Sequence, residues 1–149
     1  MAKGYLSLVL HTHLPYVRHP EEDDFLEEDW LFEAITETYI PLIDIFRRLR
    51  NEGINYRITM SLTPPLLSML ADPLLQNRYR RHLEKLIELA YSEVARTRFD
   101  GTFQPLAQHY LDRFLLVKGI YDEYNSDLIR AFRELEGPNE IGIIFIIDA

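Results

Sequence analysis

"YLSLVLHTHLPYVRHP", residues 5–20, sets a compact apolar run against two histidines separated by one threonine. Residues 5–10 are too few for a helix, and their near-continuous apolar character predicts a strand largely buried on both faces. Taken as the first strand, this run decides how the remainder is organised. After the acidic stretch "EEDDFLEEDW", apolar residues at Leu31, Ile35, Tyr39, Leu42, Ile45, Phe46 and Leu49 have helical spacing, with Gly53 as the stop. Pro41 lies inside that pattern and predicts a kink or restart, because it removes a backbone donor. "INYRITMSL", from Ile54, reads as a second strand closed by Pro64 and Pro65. Strand, helix, strand is a right-handed βαβ unit with parallel strands.

From Pro64 to Gly137 the pattern is almost wholly helical. "PPLLSMLADP" is a short helix between prolines, and the next is long, with Leu75, Tyr79, Leu83, Leu86, Ile87, Ala90 and Val94 on its apolar side. A third helix runs from about Pro105 through Tyr121, and a fourth starts from a cap at Asn125 or Ser126 and ends with Gly137 at its C-cap. "IGIIFIIDA" is then a third buried parallel strand. The predicted class is α/β, about three parallel strands plus a large helical region, in a single domain over residues 1–149. Such an order looks like the opening of an α/β barrel, and a closed barrel takes about 250 residues.

Composition narrows the function classes. A chain that is 47% hydrophobic and 27% charged is an ordered globular protein. Its net charge of −8, from 24 acidic and 16 basic residues, argues against nucleic-acid and anionic-membrane partners, which demand cationic surfaces. The absence of cysteine removes disulfides and thiolate metal sites. The N-terminal apolar run is too short and too soon broken for a signal peptide, and no run approaches a bilayer span, so the cytoplasm is the expected location.

In parallel α/β folds, sites lie at the carboxyl ends of strands, where His11 and His13 stand. Their i, i+2 spacing turns both imidazoles to one side, towards a pocket if one is there; equally, they cap the strand by bonding local carbonyls. A metal centre needs further ligands, and "SLTPP" and Asp148 at the other strand ends are a poor set, so no metal is expected. His19 is expected to be exposed in a loop, and His82 and His109 to lie on solvated helix faces. The acidic run over residues 21–29 reads as a solvated loop favouring the N-terminus of the next helix. Trp30 is either a ligand platform or a packing anchor, and Tyr16 is placed to line the mouth beside the histidines.

"GYLSLVLHTHLPYVRHP", "FLEEDWLFEAITETYIPLI", "SLTPPLLSMLADPLL" and "NRYRRHLEKLIELAYSEV", in that order, resemble the N-terminal part of glycoside hydrolase family 57, and within it the 1,4-α-glucan branching enzymes. The H-x-H-x-P at His11, His13 and Pro15 corresponds to the family's first motif. The resemblance implies an incomplete (β/α)7 barrel with an inserted helical region. It further implies retaining transfer on α-1,4-glucans without a cofactor, which requires two carboxyl groups about 5 Å apart. The family carries these on later strands that have no counterpart here, so no catalytic role passes to the acidic residues of this chain. His11 and His13 would bind sugar hydroxyls or orient the nucleophile, and Trp30 would stack on a glucose ring, with α-glucan or maltooligosaccharide as the ligand. The resemblance fades near "GPNEIGIIFIIDA", before the family's Thr-His-Gly motif, so a truncated or split protein that is inactive alone is expected, with a companion chain or self-association completing the barrel. The alternatives are a metal-dependent hydrolase built on H-x-H and a non-enzymatic interaction module.

Overall fold

The computed structural model describes residues 4, 6–21 and 25–137, together with the backbone of 141–144. The chain is mostly helical, with a small parallel sheet of three strands in the order β1-β2-β3. Strand β1 is Val9–Thr12, β2 is Ile58–Leu62 and β3 is Ile141–Ile144. Both neighbouring pairs are parallel, with Val9 opposite Thr59, His11 opposite Ser61, and Ile58 opposite Ile141. The last residues of the expected third strand and Asp148 lie outside the described residues.

β1 begins four residues later than the apolar run suggested, so His11 lies within the strand and His13 just beyond it. It is also an edge strand rather than one buried on both faces. Leu6, Leu8 and Val9 are exposed, because nothing among the described residues packs on that side. The central β2 is the buried one, with Met60, Ser61 and Leu62 sealed from solvent.

The helical stretch between β1 and β2 comes in three pieces: α1, Leu26–Ala34; a π turn, Ile35–Tyr39; and α2, Ile40–Asn51. Pro41 explains the widened turn. It has no N–H for the carbonyl of Glu37, one α-helical step back, and its ring would crowd that carbonyl. The chain yields by adding a residue to the turn, so the Ile40 N–H reaches back five residues to Ile35. Arg113 Nη2 approaches the Glu37 carbonyl at 3.4 Å and also pairs with the Glu37 carboxylate. Gly53, at φ +69°, ends α2 in the left-handed conformation that a side chain would strain.

Pro64 and Pro65 open α3, Pro64–Ala71, where missing N–H groups cost nothing. Asp72 then caps α4, Pro73–Arg96, accepting from Leu74 N–H at 2.8 Å and Leu75 N–H at 3.2 Å. α4 and α5, Phe103–Glu123, pack as a long hairpin. The final helix, α6, is Leu128–Glu134, shorter at both ends than the sequence suggested. Its cap is Asp127, which accepts from Arg130 N–H at 2.9 Å, because Asn125 and Ser126 are used at positive φ to turn the chain out of α5. Leu135, not Gly137, stands at its C-cap.

The core is one continuous cluster beneath the sheet and between the helices, centred on Leu31, Ile40, Met60, Leu66, Tyr79 and Phe132. Tyr79 is fully buried, and its hydroxyl finds Thr36 Oγ1 in the π turn at 3.0 Å, so the irregular turn is fixed to α4 by a satisfied polar contact.

Candidate functional site

Strand alternation sorts the H-x-H segment into two sides. Thr12 turns inward, is buried, and donates from its hydroxyl to the carbonyl of Ser61 on β2. His11 and His13 turn the other way and are exposed. His11 Nδ1 lies 3.1 Å from Ser61 Oγ, a cross-strand pair in register, which fixes one ring nitrogen and leaves Nε2 for a ligand. Beyond Ser61 the chain passes through Thr63 into the Pro64-Pro65 helix start. A cleft of about 690 Å³ opens at these two strand ends, walled by His11, His13 and Leu14 on one side and Ser61, Thr63 and Pro64 on the other. Thr63 Oγ1 is buried and lacks a hydrogen-bond partner. A buried hydroxyl left unsatisfied is costly, and here it belongs to a residue of the cleft wall.

Tyr16, in the loop after β1, and Trp30, on α1, are both about half exposed and do not wall this cleft. The structure brings together the two histidines but places the two aromatic candidates elsewhere on the surface. Among the described residues, no group of three or more His, Asp or Glu side chains is arranged to hold a metal ion. Among the described residues, no carboxylate walls the cleft either.

Three expectations need correction. His19 is not freely exposed: its ring stacks on Phe25 with centroids 3.6 Å apart, its N–H donates to Glu28 Oε1 at 3.1 Å, and its carbonyl accepts from Arg78 Nη1 at 3.0 Å. Glu28, at the end of the acidic run, is not solvated but buried against Arg78. It falls on the same helix face as Leu31 and Phe32, three and four residues on, and is carried inward with them. His82 is half-buried beside Phe32, ring centroids 5.3 Å apart, rather than on a solvated face. Burial holds its pKa below the usual histidine value, outweighing the attraction of Asp29, with Lys85 acting in the same direction as burial.

Sequence reasoning missed Ser61 and Thr63 as site residues. "SLTPP" reads as a poor source of metal ligands and as part of the family resemblance, and neither reading gives Ser61 or Thr63 a role. Its position at the end of a parallel strand, just before a proline-marked helix start, was the available signal.

The model of glycosyl hydrolase family 57 matches residues 7–144. The chain is 35% identical over 142 residues to the 1,4-alpha-glucan branching enzyme TK1436 of Thermococcus kodakarensis, a match covering 95% of this chain and 20% of that protein. A probable 1,4-alpha-glucan branching enzyme of Mycobacterium tuberculosis is 32% identical over 64% of this chain and 18% of its own length. The fold superposes on the alpha-amylase AmyC of Thermotoga maritima with a TM-score of 0.86 at 44% identity, covering 93% of this chain and 26% of that one. It superposes on the branching enzyme of Pyrococcus horikoshii with a TM-score of 0.87 at 30% identity, covering 97% and 27%. The chain thus spans only about a fifth to a quarter of the length of these relatives, from 18% to 27%. With nearly all of it matched in both sequence and fold, the chain belongs to glycosyl hydrolase family 57.

Proposed function

We propose that residues 1–149 form one domain, the opening part of an incomplete (β/α)7 barrel acting on α-1,4-glucans, and that the His11–His13 cleft holds a glucosyl unit. The observation that carries this reading is the unpartnered, buried Thr63 hydroxyl in the wall of a cleft that two exposed imidazoles share. A glucose ring presents hydroxyls that both donate and accept, so His11 Nε2, the His13 ring and, once its side chain turns from the buried wall, Thr63 Oγ1 form a matching set. Leu14 and Pro64 offer apolar surface for the C–H face of the ring. Trp30 and Tyr16, exposed outside the cleft, act as outlying platforms for further glucose units.

Retaining transfer needs a carboxylate nucleophile and a carboxylic acid about 5 Å apart. Because no carboxylate walls the cleft among the described residues, these residues bind and orient the sugar, and the bond-breaking pair comes from further strands, in the same protein or a companion chain. The edge of β1 away from β2, flanked on its two faces by the exposed Leu8 and Val9, suits such an addition. The relatives' names divide between branching enzyme and amylase, which share attack at an α-1,4-linked anomeric carbon and differ in the acceptor, a sugar hydroxyl or water. The branching reading follows the larger number of named relatives.

Titrating the chain with maltoheptaose, followed by calorimetry and by the fluorescence of its single tryptophan, tests this. The expected result is a binding event at the cleft that disappears in His11→Ala/His13→Ala, whatever binding persists elsewhere on the chain, with no change in glucan branching or reducing ends. Absence of binding overturns the assignment of the cleft, and glucan turnover by this chain alone overturns its assignment as a binding part.

A further inference from the structure

Helices α1 and α4 face each other along two stripes of identical spacing. Residues 25, 28, 29 and 32 stand on one side and 78, 81, 82 and 85 on the other, each i, i+3, i+4, i+7. Two helices that simply pack place apolar side chains at such positions. Here the stripes carry Glu28, Asp29, Arg78, Arg81, His82 and Lys85, and the helices enclose a groove of about 610 Å³ instead of closing on one another. The Glu28–Arg78 pair, at 2.6 Å, is buried and sets a rigid, charge-neutral wall. Phe25 and Phe32 supply aromatic surface, with His19 stacked on the first and His82 tilted against the second. The remaining polar groups reach the groove without a direct hydrogen bond between His82 and Asp29: His82 Nδ1 is 3.8 Å from Asp29 Oδ1, close enough for electrostatic attraction only, and Asp29, Arg81 and Lys85 are exposed.

We propose that this α1–α4 groove is a second carbohydrate site, which takes glucosyl units of an α-glucan and shares no wall residue with the His11–His13 cleft. Its chemistry is that of polyol recognition. Asp29 accepts hydroxyl protons, Arg81 and Lys85 donate to hydroxyl oxygens, and the half-buried Phe25 ring takes a C–H face, while Phe32 is buried and supplies the apolar floor. With Glu28 neutralised by Arg78, Asp29 faces Arg81 and Lys85, and this mixture of acceptor and donors suits a neutral polyol. Its volume lies within the range of small-molecule sites, enough for more than one sugar ring. A site of this kind would hold a glucan chain to the protein away from the reacting bond.

The proposal rests on the reading that the protein acts on α-glucans, and the test separates the two. Maltoheptaose binding is measured by calorimetry on the chain, on His11→Ala/His13→Ala, on Arg81→Ala/Lys85→Ala and on Asp29→Asn. The altered groove residues are exposed and alanine favours helix, so these variants keep the fold. The histidine variant is expected to retain one binding event, and adding R81A/K85A or D29N to it should weaken that event at least tenfold. If the histidine variant loses all binding while R81A/K85A matches the parent chain, the groove is overturned and the cleft stands. If inorganic phosphate binds the histidine variant more tightly than maltoheptaose does, and R81A/K85A removes it, the groove is an anion site and the glucan assignment is overturned. If the unaltered chain binds no maltoheptaose, both readings fall.

Discussion

Arg78 Nη1 donates to Glu28 Oε1 at 2.6 Å, with the two side chains only 5% and 1% exposed. The pair joins α4 to α1 and, through the His19 N–H and carbonyl, fixes the loop that leads away from β1. A buried pair of this kind adds little over an apolar pair of the same shape, but removing one member leaves the other charge without its compensation. Glu28→Ala is expected to cost about 3–5 kcal/mol in urea unfolding, and Glu28→Leu/Arg78→Met to recover much of it. A single-variant loss below 1 kcal/mol would show that water reaches the pair.

Asp72 tests a different kind of charge. Partial burial raises its pKa, but Arg18 Nε at 2.5 Å and the Leu74 and Leu75 N–H groups outweigh this and hold the carboxyl below its usual value. A carboxyl that is more acidic in the folded state contributes stability above the unfolded pKa of about 3.9, and loses it as pH falls through the lower folded value. Asp72→Ala should cost about 1–2 kcal/mol at pH 7. The difference between parent and variant should shrink below pH 4, as read from unfolding midpoints across pH.

Thr63 separates stability from binding. Thr63→Val keeps the shape and removes a buried hydroxyl that has no hydrogen-bond partner, so the fold should gain about 1 kcal/mol. Maltoheptaose affinity should fall by roughly tenfold, the worth of one hydrogen bond. A variant that is more stable and binds as well would remove Thr63 from the site.

Ser61→Ala frees the His11 ring from its partner at 3.1 Å and removes only one buried hydroxyl from the cleft wall. Its effect on maltoheptaose affinity should be smaller than that of His11→Ala, about three- to fivefold, and should arise from lost orientation of the imidazole. Histidine ring NMR would register the change in tautomer balance.

The π turn has a local readout. Arg113→Leu removes the side-chain donor to the Glu37 carbonyl, and because the Arg113–Glu37 ion pair is partly exposed, global stability should fall by less than about 1 kcal/mol. Hydrogen exchange at the Ile40 amide should nonetheless accelerate, since its five-residue bond to Ile35 depends on the turn holding its shape.

The elements were legible in the sequence wherever period and punctuation agreed. The end of β2 before Pro64-Pro65, the long α4 stripe through Leu75, Tyr79, Leu83 and Ile87, and the Gly53 stop lie where patterning placed them, although β2 begins at Ile58, four residues later than expected. The resemblance in the H-x-H segment led to the family that the comparisons then gave. What patterning missed depends on tertiary partners. An apolar run marks a strand with a surface to cover, and cannot tell whether neighbours cover it, so β1 was expected to be buried where it is an exposed edge. A glutamate inside an acidic run looks solvated until an arginine on a helix fifty positions away meets it, as Arg78 meets Glu28. Pro41 announced an irregularity, but whether the helix would kink, break or widen depended on Arg113 and Tyr79 outside the segment.

That widened turn also sets a limit on how this segment can change in length. A π turn holds one residue more than the α-helix it interrupts, so it works as a phase adjuster between the helices on either side. Deleting one residue from Ile35–Tyr39 would remove the extra residue, force the Pro41 ring against the preceding turn and rotate α1 by about 100° relative to α2. Leu31 and Phe32 would turn out of the core, and Glu28 would swing away from Arg78. A single-residue deletion here would therefore act on a buried charge at the far end of α1, whereas a compensating insertion within α1 could restore its phase.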